Sequence, residues 1–404
     1  MTLAVLTAQI GHYHDARYRA VADLTSDFCV LASRRGADFA ELHVTDPGQY
    51  AREYLFESED DPGGAVSTLS VWKRMQRMLV QLNPSAVAIA GWASAESFAA
   101  IDWAKRNRRA IVVMSDSQQH DAARSIVREA LKRRIVRMCD AALVGGRAHS
   151  AYIRALGMAE ERTFLGYDAV DNDHFRKGAE QARANDTANR AALLLPEKYI
   201  LGSARFIAKK NIPRLIRAYR MAIAETSSAP DLVILGDGPE RQTIETEIAK
   251  QGLQNKVHLP GFFGYEKLPA LYGLAQAFVH VSTSEQWGLV INEAAAAGLP
   301  LIVSETCGAT ETLVQHEENG FVVDPASQTD IANALAQVMR LNPANRAEMA
   351  RKGQALVADW GPERFARELL CAVRAAETAE RSAMRLHDWA LLRSLSARRI
   401  GRVS

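Results

Sequence analysis

The sequence predicts an α/β protein made of two doubly wound parallel sheets. Three observations carry that reading. At 404 residues the chain is too long for one ordinary core. Short apolar runs alternate with amphipathic or alanine-rich stretches along most of its length. The alternation breaks once, at a polar and charged interval from Arg176 to Arg190, and then restarts.

In the first half, strands are expected at Leu3–Leu6, Phe28–Leu31, Ala86–Ala90, Ala110–Met114, Ala141–Val144 and Thr163–Leu165. Helices are expected between them at His14–Asp23, Ser67–Leu82, Ser94–Arg106, Ala122–Arg137 and Ala148–Leu156. In the second half the strands fall at Tyr199–Gly202, Leu232–Leu235, Val257–Leu259, Ala277–Val281, Leu301–Val303 and Gly320–Val323. The helices fall at Ile212–Ala224, Arg241–Gln251, Lys267–Leu274, Val290–Ala297, Gln328–Leu341 and Asn345–Val357. The pattern gives a first Rossmann-like domain over residues 1–190 with a linker at 176–197, a second over 198–361, and C-terminal helices over 362–404.

Hydrophobic content of 48% and charged content of 24% are those of a globular protein, and a net charge of +2 gives no bulk attraction to nucleic acid. The four cysteines (Cys29, Cys139, Cys307, Cys371) form no CxxC pair, so neither a structural zinc site nor a disulfide framework is expected. The N-terminus reads as a first strand rather than a signal peptide, and no apolar run nears the ~20 residues that span a bilayer. A cytoplasmic location is the expectation.

The most informative segment is 284–300, in which Glu285 and Glu293 stand eight positions apart with Gly288 between them. Here a strand gives way to an alanine-rich helix. A helix start offers unpaired N–H groups and a positive dipole end, which suit a phosphate. Glycine lets a ligand approach the backbone closely. Glu285 on the loop and Glu293 about one and a half turns into the helix would face opposite ends of a nucleoside-diphosphate sugar. The plainer reading is an ordinary helix start whose acids complement the dipole. Arg205 and Lys210 follow an expected strand, where a guanidinium fork and an ammonium can hold a diphosphate. Residues 235–239 read Leu-Gly-Asp-Gly-Pro, a tight turn at Gly236 that is not a dinucleotide fingerprint. Phe262 and Phe263 follow the next strand and are placed to wall a base or to join the core.

Taken together over residues 199–341, these segments resemble the E-x7-E signature and accompanying turns of retaining glycosyltransferase family 4, which has the GT-B fold of two Rossmann-like domains facing across a cleft. The resemblance extends loosely over residues 143–175 and is only architectural before residue 110. It implies a retaining transfer of a sugar from a UDP- or GDP-sugar to an acceptor hydroxyl, without metal or bound cofactor. Arg205, Lys210 and the helix start at Gly288, Leu289 and Val290 would neutralise the diphosphate. Glu285 would hold the sugar, Glu293 the ribose, and Gly11, Gly236 and Phe262 would line the donor. It also implies a C-terminal helix that crosses back to the first domain. The alternatives are another GT-B activity, such as an epimerase or phosphorylase, and a silent nucleotide-sugar-binding protein.

On the acceptor side, Gly11, His12 and His14 follow the first strand, and Ser115, Asp116, His120 and Asp121 follow the expected strand Ala110–Met114. His120 is the candidate for the family's sugar-contacting histidine, out of its usual register, while the others are acceptor contacts or plain loop. Asp171-Asn172-Asp173 spells DxD but reads as helix capping. Nine cations run from Arg106 to Arg137, including Arg124. The last 24 residues carry six arginines, among them Arg385, Arg393, Arg398, Arg399 and Arg402, against one acid, Asp388. Leu386, Trp389, Leu392 and Leu395 fall on one face there, so the tail is expected either to lie on an anionic membrane, serving a lipid-linked acceptor, or to pack on the protein.

Overall fold

The computed structural model describes residues 2–34, 49–56, 67–121, 125–224, 228–380 and 384–397. The chain divides into two compact units: one joins 1–169 to 362–404, and the other is 170–361.

The first unit holds strands β1 Leu3–Thr7, β2 Phe28–Arg34, β3 Ala51–Phe56, β4 Ala86–Ala90, β5 Ala110–Ser115, β6 Ala141–Val144 and β7 Thr163–Leu165. They form one parallel sheet in the order β3-β2-β1-β4-β5-β6-β7. Central strands such as Ala86–Ile89 and Ala110–Val113 are fully buried, as a parallel sheet covered on both faces requires. One face packs on helices Thr68–Leu82 and Ala95–Arg106 through Trp72, Met75, Leu79 and Phe98. The other packs on helix His12–Leu24 and on helix Pro362–Thr378, which lays Phe365, Leu369 and Val373 against the sheet.

The second unit holds β8 Tyr199–Ser203, β9 Asp231–Leu235, β10 Val257–Gly261, β11 Ala277–His280, β12 Leu301–Ser304 and β13 Gly320–Val323. Their order is β10-β9-β8-β11-β12-β13, again parallel throughout. In both sheets the order reverses beside the first strand, between β1 and β4 and between β8 and β11. Such a switch point leaves a crevice at the carboxyl ends of the strands, where ligands of open α/β sheets bind.

Two expectations need correction. Strand β3 was not foreseen: it is an edge strand, charged at Arg52 and Glu53, and only Leu55 and Phe56 are buried. The stretch 176–197 is not a linker, and the first unit ends at 169 rather than 190. Helices Asn172–Ala184 and Asp186–Leu193 occupy it and belong to the second unit. The first buries Phe175, Ala179 and Ala182 against helix Leu268–Gly273, so closely that a Cβ on Gly273 would stand 2.7 Å from Ala179 Cα. Small residues make that contact, and they carry little hydrophobic signal.

Of the two expectations for the tail, the structure shows packing on the protein. Helix Leu386–Ala397 packs on helices Thr68–Leu82 and Ala95–Arg106. Leu392 is fully buried in the first unit's core, and Leu391 and Leu395 pack against it. Arg393 lies over the Trp72 ring at 4.6 Å, and Arg134 Nε donates to Asp388 Oδ1 at 2.7 Å. Of the apolar face expected to enter a bilayer, Leu386 alone is strongly exposed among these described residues. Arg124, Arg398, Arg399 and Arg402 lie outside the described residues. No helix of the described residues is long and apolar enough to cross a membrane.

Leu392→Ala should destabilise the chain by about 2–5 kcal/mol, the usual cost of emptying a buried leucine site. Urea unfolding measures it, and an unchanged midpoint would show that the helix does not hold to the core.

Candidate functional site

The second unit gathers its site at the switch point between β8 and β11. The chain leaves β8 through Ala204 and Arg205 and enters a short turn, Ala208–Lys210. Asn211 ends that turn in the left-handed region at φ 61° and donates to the carbonyls of Val281 (3.1 Å) and Pro325 (2.8 Å). This ties the β8 loop to the ends of β11 and β13. Thr283 N–H donates to the Lys209 carbonyl at 2.8 Å, which leaves the next side chain, Lys210, directed at Glu285. Arg205 is exposed on the same loop and meets no acid among the described residues.

Lys210 Nζ and Glu285 Oε2 form an ion pair. His280, the last residue of β11, completes it: its Nε2 lies 3.2 Å from Glu285 Oε2 and 3.1 Å from Ser282 Oγ. Burial pushes the imidazole below its ordinary range, against the opposing pull of Glu285. A neutral ring with its proton on Nε2 donates to the carboxylate. Burial would raise the Glu285 carboxyl, but the bond from His280 and the charge of Lys210 overcome it and hold the group ionised.

The loop that carries Glu285 is pinned by its neighbours. Gly308 N–H donates to the Glu285 carbonyl (3.1 Å), Ala309 N–H to that of Trp287 (3.1 Å), and the buried Trp287 indole to Asn292 Oδ1 (2.8 Å). Gly288 then caps helix Leu289–Ala296 at φ 96°, ψ 66°, a conformation that glycine adopts at little cost. The first N–H groups of that helix, at Leu289 and Val290, have no carbonyl within it to bond. An ammonium, a guanidinium and a helix start thus stand on one sheet edge, a set suited to a diphosphate. Glu293 lies deeper, 1% exposed, and accepts from Tyr272 Oη at 2.6 Å.

The β9 turn lies across the β8 loop. A Cβ on Gly236 (φ 119°) would fall 1.9 Å from the Ala204 carbonyl oxygen, so this turn admits only glycine. Phe262 is 48% exposed just past β10, after Gly261 at φ 90°.

The first unit brings other groups to its carboxyl edge. Gly11 caps helix His12–Leu24 and its N–H donates to His14 Nδ1 (3.5 Å). Gly146 caps helix Arg147–Ala155 and donates to His149 Nδ1 (3.0 Å) in the same way. Both rings therefore carry their proton on Nε2. Burial and the charge of Arg17 push His14 down to about 3. Asp116 follows β5 and Asp168 follows β7. Burial raises both carboxyls; repulsion by Asp121 adds to it at Asp116 and repulsion by Asp116 adds to it at Asp168, while Arg17 opposes at both and His149 at Asp116. His12 sits on the first turn of its helix, half-buried.

Other predicted residues have local duties. Ser115 Oγ accepts from Ser117 N–H (3.1 Å), and Asp121 Oδ2 from Gln118 N–H (2.7 Å), so both brace the turn. His120 is exposed on that turn, and His149 is the imidazole near Asp116. Asp171 caps helix Asn172–Ala184 through His174 N–H (2.9 Å), and Asp173 pairs with Arg176 (3.0 Å) and Lys177 (2.7 Å). No cluster of three metal-ligating side chains occurs among the described residues. Sequence reading missed His280, Tyr272, Asn211 and His149. A signal existed for the last: Gly146-x-x-His149 repeats the spacing of Gly11-x-x-His14.

Two Rossmann-like units with this strand order define the GT-B class. Solved structures agree: Anabaena HepE in complex with UDP and glucose superposes with a TM-score of 0.68 at 19% identity, covering 92% of this chain and 98% of that one. A glycosyltransferase from Rickettsia africae gives 0.71 at 15% identity, covering 94% and 99%. Residues 185–355 match the family model of glycosyl transferases group 1. Among curated relatives, the GDP-mannose-dependent alpha-(1-6)-phosphatidylinositol monomannoside mannosyltransferase of Mycobacterium tuberculosis is 30% identical over 251 residues, 58% of this chain and 62% of that protein. The alpha-D-kanosaminyltransferase of Streptomyces kanamyceticus is 28% identical over 56% of this chain and 58% of its own length. The matches therefore span about three fifths of these relatives.

Tyr272→Phe should cost about 1–3 kcal/mol, because it strips a hydrogen bond from a buried acid. Equal unfolding free energies for the variant and the parent chain would refute that role for Tyr272.

Proposed function

We propose that the chain transfers a sugar from a nucleoside-diphosphate sugar, UDP- or GDP-linked, to an acceptor hydroxyl with retention at the anomeric carbon. The observation that carries the proposal is the convergence of Lys210, Glu285 and the Gly288 helix start at one switch point, with Arg205 on the same loop. The names of the relatives, a mannosyltransferase of phosphatidylinositol monomannoside and a kanosaminyltransferase, favour the same chemistry.

In this reading the diphosphate of the donor displaces Glu285 from Lys210 and takes the ammonium, the Arg205 guanidinium and the Leu289 and Val290 N–H groups. These groups stabilise the charge that grows on the leaving diphosphate. The freed Glu285 carboxylate, still held by His280, accepts from donor-sugar hydroxyls. Glu293, held by Tyr272, serves the ribose. A diphosphate oxygen on the departing face takes the acceptor proton, so the new bond forms on the side the old one leaves. The edge bearing Asp116, His14 and His149 receives the acceptor, a sugar or a lipid-linked sugar. Cationic side chains and a helix start do the work that a divalent ion does elsewhere.

The test is incubation with a panel of nucleotide sugars, following nucleoside diphosphate release and the anomeric configuration of the product by NMR. Nucleotide binding with no release from any donor would favour a silent binding protein instead. Lys210→Ala should lower turnover by about 10²–10³-fold, the usual effect of deleting one group that stabilises developing charge. Glu293→Gln should mainly weaken nucleoside diphosphate binding, whereas Glu285→Gln should mainly lower turnover. Calorimetry and kinetics separate the two, and unaltered nucleotide affinity in the Glu293 variant would remove the ribose assignment. Activity should also persist in excess chelator; its loss, with rescue by magnesium or manganese, would overturn the metal-free reading.

A further inference from the structure

The first unit has a second cationic feature, away from the strand ends that carry its candidate acceptor groups. Helix Ile126–Val136 follows β5 and precedes β6, so its C-terminal end lies at the amino edge of the sheet, opposite Asp116. There Arg133, Arg134 and Arg137 meet the segment that leads into helix Leu386–Ala397, which contributes Arg385, His387 and Asp388. Together they line a groove of about 540 Å³, with Met138 and Ala130 as its apolar floor.

Four guanidiniums face that groove, and Asp388 is its single acid. Asp388 is already engaged: Oδ1 accepts from Arg134 at 2.7 Å and lies 3.6 Å from His387 Nε2. Arg133, Arg137 and Arg385 pair with no acid among the described residues. Two other cations of the first unit are neutralised locally, Lys132 by Glu129 (3.0 Å) and Arg154 by Glu160 (2.6 Å).

A helix C-terminus attracts cations, but that effect fades within the last turn and accounts for none of the charge that Arg385 brings from a separate segment. Nor is the groove a loose surface. Leu392 is anchored in the core, Arg393 lies on Trp72, and Arg137 runs over Gly157, where a Cβ would stand 3.1 Å from Arg137 Nε. Gly157 sits at φ 106°, so the bare surface under Arg137 is part of the backbone design. Convergent guanidiniums without counter-charges repel one another, and an anion with several oxygens relieves that repulsion through forked hydrogen bonds.

We propose that this groove binds a phosphate-bearing anion, held by Arg133, Arg137 and Arg385 and separate from the donor site of the second unit. Anchored on both helix Ile126–Val136 and the C-terminal segment, such a ligand would clamp the tail to the unit. The same phosphate chemistry is offered by a free polyphosphate and by an anionic lipid headgroup, and the two can be told apart.

The experiment uses the full chain with Arg205→Ala and Lys210→Ala, so that the cations of the second unit do not compete. Into that background go either Arg133→Gln with Arg137→Gln, or Arg133→Lys with Arg137→Lys. All four sites are on loops or the exposed end of a helix, and circular dichroism checks the fold. Calorimetric titration with inorganic tripolyphosphate at low salt should lose at least about tenfold in affinity in the glutamine pair and much less in the lysine pair. Co-sedimentation with phosphatidylglycerol against phosphatidylcholine vesicles forms the second arm. Tripolyphosphate binding without vesicle binding identifies a soluble phosphate. Vesicle binding that needs the arginines and is competed by tripolyphosphate identifies a headgroup. Either result supports the site. Equal affinities in the parent background and the glutamine pair, or no binding of either probe, would overturn it.

Discussion

The ion pair between Lys210 and Glu285 is the contact on which the second unit's site turns. Its partners lie 75 positions apart in the chain and meet because β8 and β11 are neighbours at the switch point. A partly buried pair of this kind is not a strong source of stability, since taking both charges out of water offsets much of their attraction. Its consequence is positional. With Lys210 drawn to Glu285, and Glu285 drawn to His280 and Ser282, the carboxylate and the ammonium stand ready in one place. In the proposed reaction an incoming diphosphate would exchange one anion for another at Lys210, with Glu285 still held by His280.

That arrangement depends on backbone more than on side chains. Loops from four strands cross within a few ångströms, and the crossings admit no Cβ at Gly236. The pinning bonds run mostly between main-chain groups: Gly308 to Glu285, Ala309 to Trp287, Thr283 to Lys209. Asn211 adds a side-chain tie, from a left-handed turn to the ends of β11 and β13. Rigid loops suit the proposed chemistry, because groups aimed in advance at a developing charge need no reorganisation when it appears.

Much of this was legible in the sequence, for identifiable reasons. Strands buried on both faces announce themselves as runs such as Ala-Ile-Val-Val-Met, and acids or glycines at fixed spacing around a helix start mark Glu285, Gly288 and Glu293. What stayed hidden is equally specific. His280 closes an apolar strand and looks like core until topology sets it beside Lys210. Tyr272 reads as one more apolar helix residue until its hydroxyl is found on Glu293. Helix Asn172–Ala184 was mistaken for a linker because alanine contacts leave a polar average. Strand β3 escaped because an edge strand need not be apolar. In each case the deciding partner lies far away in sequence, where local pattern carries no information.

The two sheet edges present different groups. At the carboxyl edge of the second unit, Lys210, Arg205 and the Gly288 helix start stand together, a set that suits an anionic ligand. At that of the first, Arg17 stands among Asp116 and Asp168, and His14 and His149 accept backbone N–H groups at Nδ1. Such an edge offers carboxyl groups and Nε2–H donors, which match hydroxyl groups. One topology, used twice, thus gives two crevices of different chemical character. The distinction lies in the loops and owes nothing to the sheets, whose interiors are built from the same small and branched apolar residues.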